Sequence, residues 1–477
     1  MGERRKISGL DTGGAEPPPL LGWRGVVPAL VAGVLLCWPM WLTGADFVFY
    51  DTRNYFLAGR EIWTILGRAA GWGADAVAAA PEGTGGGAAR FGRSLVYSGL
   101  AYPLLALGGA AALAVFQGAL VVFSVFALID RTTLAAPRIL LAGGLAVAVF
   151  CTLPWHVVYL MPDVLGAVLV VFGMALTGPF GTMTGRQKAL LTALAILAAG
   201  SHYGNMPLAA GIVVVALAVA AATRRLRPAT LLAAALVVVV PPAINTVSSA
   251  ATLEEATPTP LRLPILLARS LADGPARLYL EETCPAGADY AICTAFDGRI
   301  PGTIDELLWD EAGVQSLDRA TMARIRAEEY GLLLDVLRAY PAAQSWSLAR
   351  NALRQLTLAG TGQLLAVTDV GTAIARGVPE TRDAGGARLQ DIFDRITPVA
   401  TALAALALLA LVAAGRVPPG RGGAVFVLAA ALAGNALIFG GLSAPVDRYQ
   451  SRLVWLVPVL LVVILADTAA RKRARRG

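Results

Sequence analysis

Asp46 and Asp51 lie directly after the first apolar stretch, in Gly44-Ala45-Asp46-Phe47-Val48-Phe49-Tyr50-Asp51-Thr52. A carboxylate next to hydrocarbon is costly to keep ionised, so acidic residues at such a boundary mark a candidate functional site. The chemistry open to them is proton abstraction from a hydroxyl, the work of a general base. Asp163 is a third such carboxylate, at the corner Trp155-His156-Val157-Val158-Tyr159-Leu160-Met161-Pro162-Asp163. Asp51 precedes an amphipathic pattern and Asp163 follows Pro162, so helix capping competes with catalysis at both positions. Asp46 has no comparable local role.

Cationic and polar groups accompany these carboxylates. Arg448 and Arg452 sit in the short segment Ser443-Ala444-Pro445-Val446-Asp447-Arg448-Tyr449-Gln450-Ser451-Arg452. Arginine stays charged when partly desolvated and binds phosphate oxygens bidentately, so a lipid phosphate is one partner for them. Pairing with Asp447, Asp51 or Asp163 is the competing one. Arg93 and Tyr97, in Gly92-Arg93-Ser94-Leu95-Val96-Tyr97-Ser98, suit a phosphate or sugar, or serve as interfacial anchors. His156 and His202 are candidate substrate contacts. They lack the paired spacing of metal ligands, and interfacial hydrogen bonding is the alternative role for each.

The elements that must carry these residues are membrane-spanning. Of 477 residues, 56% are hydrophobic and only 15% charged, which excludes an ordinary soluble globular protein. The net charge of +7 comes largely from short Lys and Arg clusters between apolar stretches, with no basic stretch interleaved with aromatics, which argues against nucleic acid. Apolar stretches at 26–43, 108–129, 139–155, 164–177, 190–199, 207–222, 231–245, 399–414, 424–439 and 453–466 predict an all-α polytopic protein of about ten transmembrane helices. Several are short, which is tolerated where a helix lines a cavity.

The basic clusters set an orientation. With the N-terminal tail 1–24 (Arg4, Arg5, Lys6, Arg24) inside, the loops carrying Arg131 and Arg138, Arg186 and Lys188, Arg224, Arg225 and Arg227, and Arg416 and Arg421 also fall inside. So does the tail 471–477. Both termini are then cytoplasmic in a bacterial inner membrane, although topology alone explains these charges. The chain divides into an N-terminal transmembrane module 25–247, with a first extracytoplasmic loop 44–93, an extracytoplasmic insert 248–395, and C-terminal transmembrane helices 396–470. The first loop holds an amphipathic surface helix after Asp51 and a glycine-rich stretch at 81–90.

The insert reads as mostly helical. Thr303-Ile304-Asp305-Glu306 resembles a capping box, and Ser316 is placed to cap a helix running through Arg338. Cys284 and Cys293 read as a disulfide in an oxidising compartment. Cys37 and Cys151 fall in apolar stretches as unpaired core residues.

With these pieces in order, the chain resembles the GT-C superfamily of polyprenyl-phosphate-sugar-dependent membrane glycosyltransferases. The resemblance rests on Asp46…Tyr50-Asp51…Tyr55 after the first span, the surface helix, Arg93-Ser94…Tyr97-Ser98, the acidic corner Met161-Pro162-Asp163 and the large C-terminal insert. It implies inverting transfer from a polyprenyl-phosphate-linked sugar donor to an envelope glycan, lipid or protein acceptor. In that scheme Asp46 or Asp51 is the base, and Asp163 positions the acceptor or a divalent cation. Arg93, Arg448 or Arg452 stabilises the departing phosphate. Some members carry two adjacent acidic residues after the first span, whereas Phe47 to Tyr50 separate Asp46 from Asp51 here. That departure leaves open which carboxylate is the base and whether a divalent cation takes part. Two other classes compete: a lipid-linked-sugar transporter or flippase, and a non-catalytic envelope assembly factor with the same fold.

Overall fold

The computed structural model describes residues 20–69, 92–253, 256–296, 298–376 and 383–476. Arg4, Arg5 and Lys6 of the basic tail and the glycine-rich stretch 81–90 lie outside the described residues. Among the described residues the architecture is all-α apart from two three-residue strands, and seven helices are long and apolar enough to cross a membrane: Trp23–Thr43, Leu95–Leu128, Asn205–Ala222, Pro228–Ala251, Ala384–Ala413, Gly422–Gly441 and Asp447–Ala474. The apolar helices Pro137–Phe150 and Pro162–Leu176 are shorter, as is the 16-residue helix Gly185–Gly200.

The shortness of Pro162–Leu176 has a physical reason. Each of its residues is buried, surrounded by Leu95–Val125, Gly185–Gly200, Asn205–Ala222 and Gly422–Asn435. A helix enclosed by protein need not match the thickness of a bilayer.

The second long helix starts earlier than its apolar stretch suggests. Ser94 caps it by accepting from the Tyr97 amide, so Arg93-Ser94…Tyr97 forms a helix start rather than a loop. The break comes inside, at Gly109, whose φ of 67° and ψ of −170° only glycine adopts at little cost. In the insert, Ser316 closes a short 3-10 turn and Asp318 caps the helix Arg319–Ala339 instead, accepting from the Ala320 and Thr321 amides. Thr303 does cap, but the helix it begins ends at Leu308.

The insert has its own apolar core, including Leu267, Leu271, Leu280, Leu307, Leu332 and Val336. Cys284 and Cys293 are joined by a disulfide beside it, with Cα atoms 5.4 Å apart. Cys37 and Cys151 are free and buried. Strand β1 (Asp46–Val48) pairs antiparallel with β2 (Leu365–Val367), placing Asp46 opposite Val367. This small ribbon ties the segment after the first helix to the far end of the insert.

The basic loops gather at one end of the bundle. Arg225 donates to the Thr177 carbonyl at 3.1 Å and Arg227 to that of Gly181 at 2.9 Å. Arg421, only 4% exposed, binds Asp467 at 2.7 Å, the Leu128 carbonyl at 2.9 Å and Thr133 at 3.1 Å. Asp467→Ala removes the nearer and more buried of the two carboxylates paired with this guanidinium, leaving Asp130 at 3.5 Å, and costs about 3 kcal/mol. Thermal unfolding of the purified protein should show a large drop in Tm, with Arg421→Met/Asp467→Leu recovering most of it. An unchanged Tm for Asp467→Ala would mean that the pair holds nothing together.

Candidate functional site

At the other end of the bundle, separate stretches of chain converge. Asp51 and Tyr55 come from the surface helix Tyr50–Ala69. Arg93 precedes the capped start at Ser94. The corner 153–163 supplies His156, Tyr159 and Asp163, the break between Gly200 and Asn205 supplies His202 and Tyr203, and the helix Asp447–Val454 supplies Arg448 and Arg452.

Backbone bonds lock the corner to the first loop. The Leu160 amide donates to the Phe47 carbonyl at 3.0 Å. Thr52 accepts from the Phe49 amide at 3.0 Å and donates to the Leu160 carbonyl at 3.2 Å. From behind, the Gln117 side-chain amide donates to the Val157 and Tyr159 carbonyls at 3.1 and 3.0 Å. Tyr97 holds that glutamine, its hydroxyl donating to Oε1 at 2.7 Å. Tyr97 is thus buried and gives its hydroxyl to this glutamine.

Asp51 and Arg93 form an ion pair at 2.5 Å, with 14% and 16% of their side chains exposed. They are the accessible part of the cluster. Asp163 is the enclosed part: it is 1% exposed, and neither carboxylate oxygen has a hydrogen-bond donor among the described residues. The 3-10 turn it belongs to has no side-chain cap, so capping does not account for it.

Arg448 and Arg452 are one helical turn apart and project together. The Arg448 guanidinium stacks 4.0 Å from the Phe49 ring centroid and 4.8 Å from that of Tyr449. Its Nη2 donates to the Tyr449 hydroxyl at 3.1 Å. Arg452 stacks 4.0 Å from Phe439 and donates from Nη2 to Asn435 Oδ1 at 2.8 Å. Nε of Arg448, and Nε and Nη1 of Arg452, are buried with no partner among the described residues. Asp447 does not serve them, because it accepts from the Gly360 amide at 2.9 Å. Two guanidinium groups held by aromatic faces and neutral amides keep donors free for an anion.

The histidines are neutral members of this cluster. His156 shares a 2.8 Å hydrogen bond with the Ser451 hydroxyl. Burial, and then the charges of Arg452 and Arg448, lower its pKa to about 3. His202 Nδ1 accepts from the Gly204 amide at 3.0 Å, which leaves its proton on Nε2. Burial, reinforced by Arg452, Arg448 and Arg93, holds it well below the usual histidine range.

Asp46 stands apart from the cluster. Its Oδ2 accepts from the Val370 amide at 2.9 Å, at the start of the helix Val370–Arg376. Burial raises its pKa, the Val370 amide opposes the rise, and the charge of Asp369 adds to it. The absence of a local role in the sequence is explained by this distant backbone partner.

Sequence reasoning missed Phe49, Tyr159, Tyr449 and Asn435. For Asn435 a signal existed, since an amide inside an apolar span needs a partner. A π-helical turn, Ala436–Gly441, follows it directly, a distortion frequent at functional sites.

The charge balance bears on the ligand. The guanidinium groups of Arg93, Arg448 and Arg452 outnumber the carboxylates of Asp51 and Asp163. Among the described residues no group of three or more His, Cys, Asp or Glu side chains converges. This set suits an anion. Comparison with protein-family models, curated proteins and solved structures gave no match to the chain, so the site is read from its own chemistry.

Two outcomes follow. The unfolded chain protonates its histidines near 6.5, whereas folded His156 stays neutral down to about 3. The contribution of His156 to stability is therefore lost as pH falls through this window. Wild type should lose more Tm between pH 7 and pH 5 than His156→Gln. Equal losses would show that His156 is not held neutral. Asp46→Ala should cost about 1–2 kcal/mol through the lost hydrogen bond to Val370, read as a lower Tm, while the Asp51–Arg93 pair stays intact.

Proposed function

We propose that the protein is a membrane glycosyltransferase of the GT-C type. It moves a sugar from a polyprenyl-phosphate donor to a hydroxyl acceptor of the cell envelope. The observation that carries this reading is the convergence of Asp51 and Asp163 with Arg93, Arg448 and Arg452 at the end of the bundle away from the basic loops. By the positive-inside rule that end is extracytoplasmic and both termini are cytoplasmic, in a bacterial inner membrane. The shorter apolar helices count as spans in this reading, giving about ten.

The proposed chemistry assigns each group a task. Asp51, reachable from solvent, takes the proton of the acceptor hydroxyl. The acceptor oxygen then bonds to the anomeric carbon from the face opposite the phosphate, and the bond from that carbon to the phosphate oxygen breaks. The pair of electrons leaves with the phosphate, where Arg448 and Arg452 bind the developing charge through their free N–H groups. Arg93 orients Asp51 by gripping Oδ1. Asp163, buried near Arg448 and Arg452 without bonding to either, supplies counter-charge to both guanidinium groups. In this reading Asp46 has a structural task, its Oδ2 holding the Val370 amide at the start of the helix Val370–Arg376.

A flippase needs charged or polar groups along a route between the two faces. The charged cluster at the opposite end is instead saturated by protein partners around Arg421, which favours chemistry at one face.

The test is transfer by purified protein from a synthetic polyprenyl-phosphate sugar. Asp51→Asn should insert and fold normally and lose about 100-fold or more in rate. Asp46→Asn should retain most activity. If Asp51→Asn transfers sugar at the wild-type rate, the proposal fails.

A further inference from the structure

The helix Pro341–Thr357 is amphipathic in the inverted sense. Its buried residues are Ser347, Asn351 and Gln355, which are polar and recur once per turn. Its exposed residues include Trp346 at 64%, Leu353 at 61% and Leu356 at 42%. With Ala349 these form one apolar stripe on the side away from Asn351 and Gln355.

The polar face has partners that explain its direction. Gln355 donates to the Val446 carbonyl at 2.8 Å and accepts from the Val446 amide at 2.9 Å. Asn351 donates to Asp273 at 2.7 Å. The helix lies against the π-helical turn Ala436–Gly441, so closely that a Cβ at Gly440 would collide with Gln355. That turn is the end of the membrane-spanning helix Gly422–Gly441, and next to it Leu437 and Leu442 are also exposed. The helix is thus packed at the end of a membrane-spanning helix, with its apolar stripe turned away from that contact.

We infer that Pro341–Thr357 is an interfacial helix lying in the plane of the membrane. Its Trp346–Ala349–Leu353–Leu356 face is immersed at the boundary between headgroups and acyl chains. Arg354, exposed beside the stripe, sits at the level of the lipid phosphates. Three features select lipid over a protein partner: packing against the end of a spanning helix, a tryptophan on the exposed stripe, and an exposed arginine on the same helix. The inference rests on the membrane-spanning character of Gly422–Gly441 and not on the proposed transfer reaction.

Spin labels on the full-length protein in nanodiscs of phosphatidylcholine and phosphatidylglycerol test it. Leu353→Cys and Arg354→Cys place labels on and beside the stripe. Glu281→Cys, whose native side chain is 55% exposed on the insert, is the aqueous reference. Wild-type protein, with its disulfide kept oxidised, corrects for labelling of buried thiols. Collision with oxygen relative to a water-soluble nickel chelate should be several-fold higher at 353 than at 281, and intermediate at 354. Nickel access at 353 equal to that at 281 would overturn the inference. So would spin–spin broadening at 353, which would place a second copy of the chain on this face.

Discussion

The structure depends on keeping the guanidinium groups of Arg448 and Arg452 buried at a membrane boundary with donors to spare. A buried cation without a counter-ion is costly, and the usual remedy is a carboxylate in contact. Here the remedy is different. Phe49, Tyr449 and Phe439 present ring faces, and Asn435 supplies an amide oxygen. Asp163 provides charge from nearby without contact, and its own oxygens stay unpartnered. The contrast with Arg421 is informative. That arginine is equally buried but saturated by Asp467, Thr133 and a backbone carbonyl, so it can only hold helices together.

A ligand-binding cluster of this kind has to be rigid, because misplaced donors bind poorly. The rigidity is built from backbone. Phe47 and Thr52 bind Leu160, Gln117 binds Val157 and Tyr159, and β1 pairs with β2. The first loop, the acidic corner and the end of the insert therefore form one frame around Asp51. Asp46 is part of that frame. Its bond to Val370 helps fasten the strap that carries β2.

Much of this was visible in the sequence for a physical reason. Ionisable residues stand out against apolar ones, so Asp51, Asp163, Arg448 and Arg452 identified themselves at the ends of apolar stretches. The role of Asp46 did not, because its partner is a backbone amide far along the chain, which leaves no trace in local pattern. Aromatic faces such as Phe49 and Tyr449 are equally silent, since they read as ordinary boundary residues. The helix start at Ser94 was obscured because its first turns precede the most apolar part of the chain. Asp318 rather than Ser316 caps its helix, although both types suit the position. The inverted face of Pro341–Thr357 was hidden because its inward amides are explained only by Val446 and Asp273.

The central claim is that these guanidinium groups bind the phosphate of a membrane lipid. Its most direct test is binding of a polyprenyl phosphate and of the matching neutral polyprenol to the purified protein in nanodiscs. Wild type should bind the phosphate far more tightly than the alcohol, and Arg448→Gln/Arg452→Gln should bind the two alike. Equal affinity of wild type for both lipids would contradict the account.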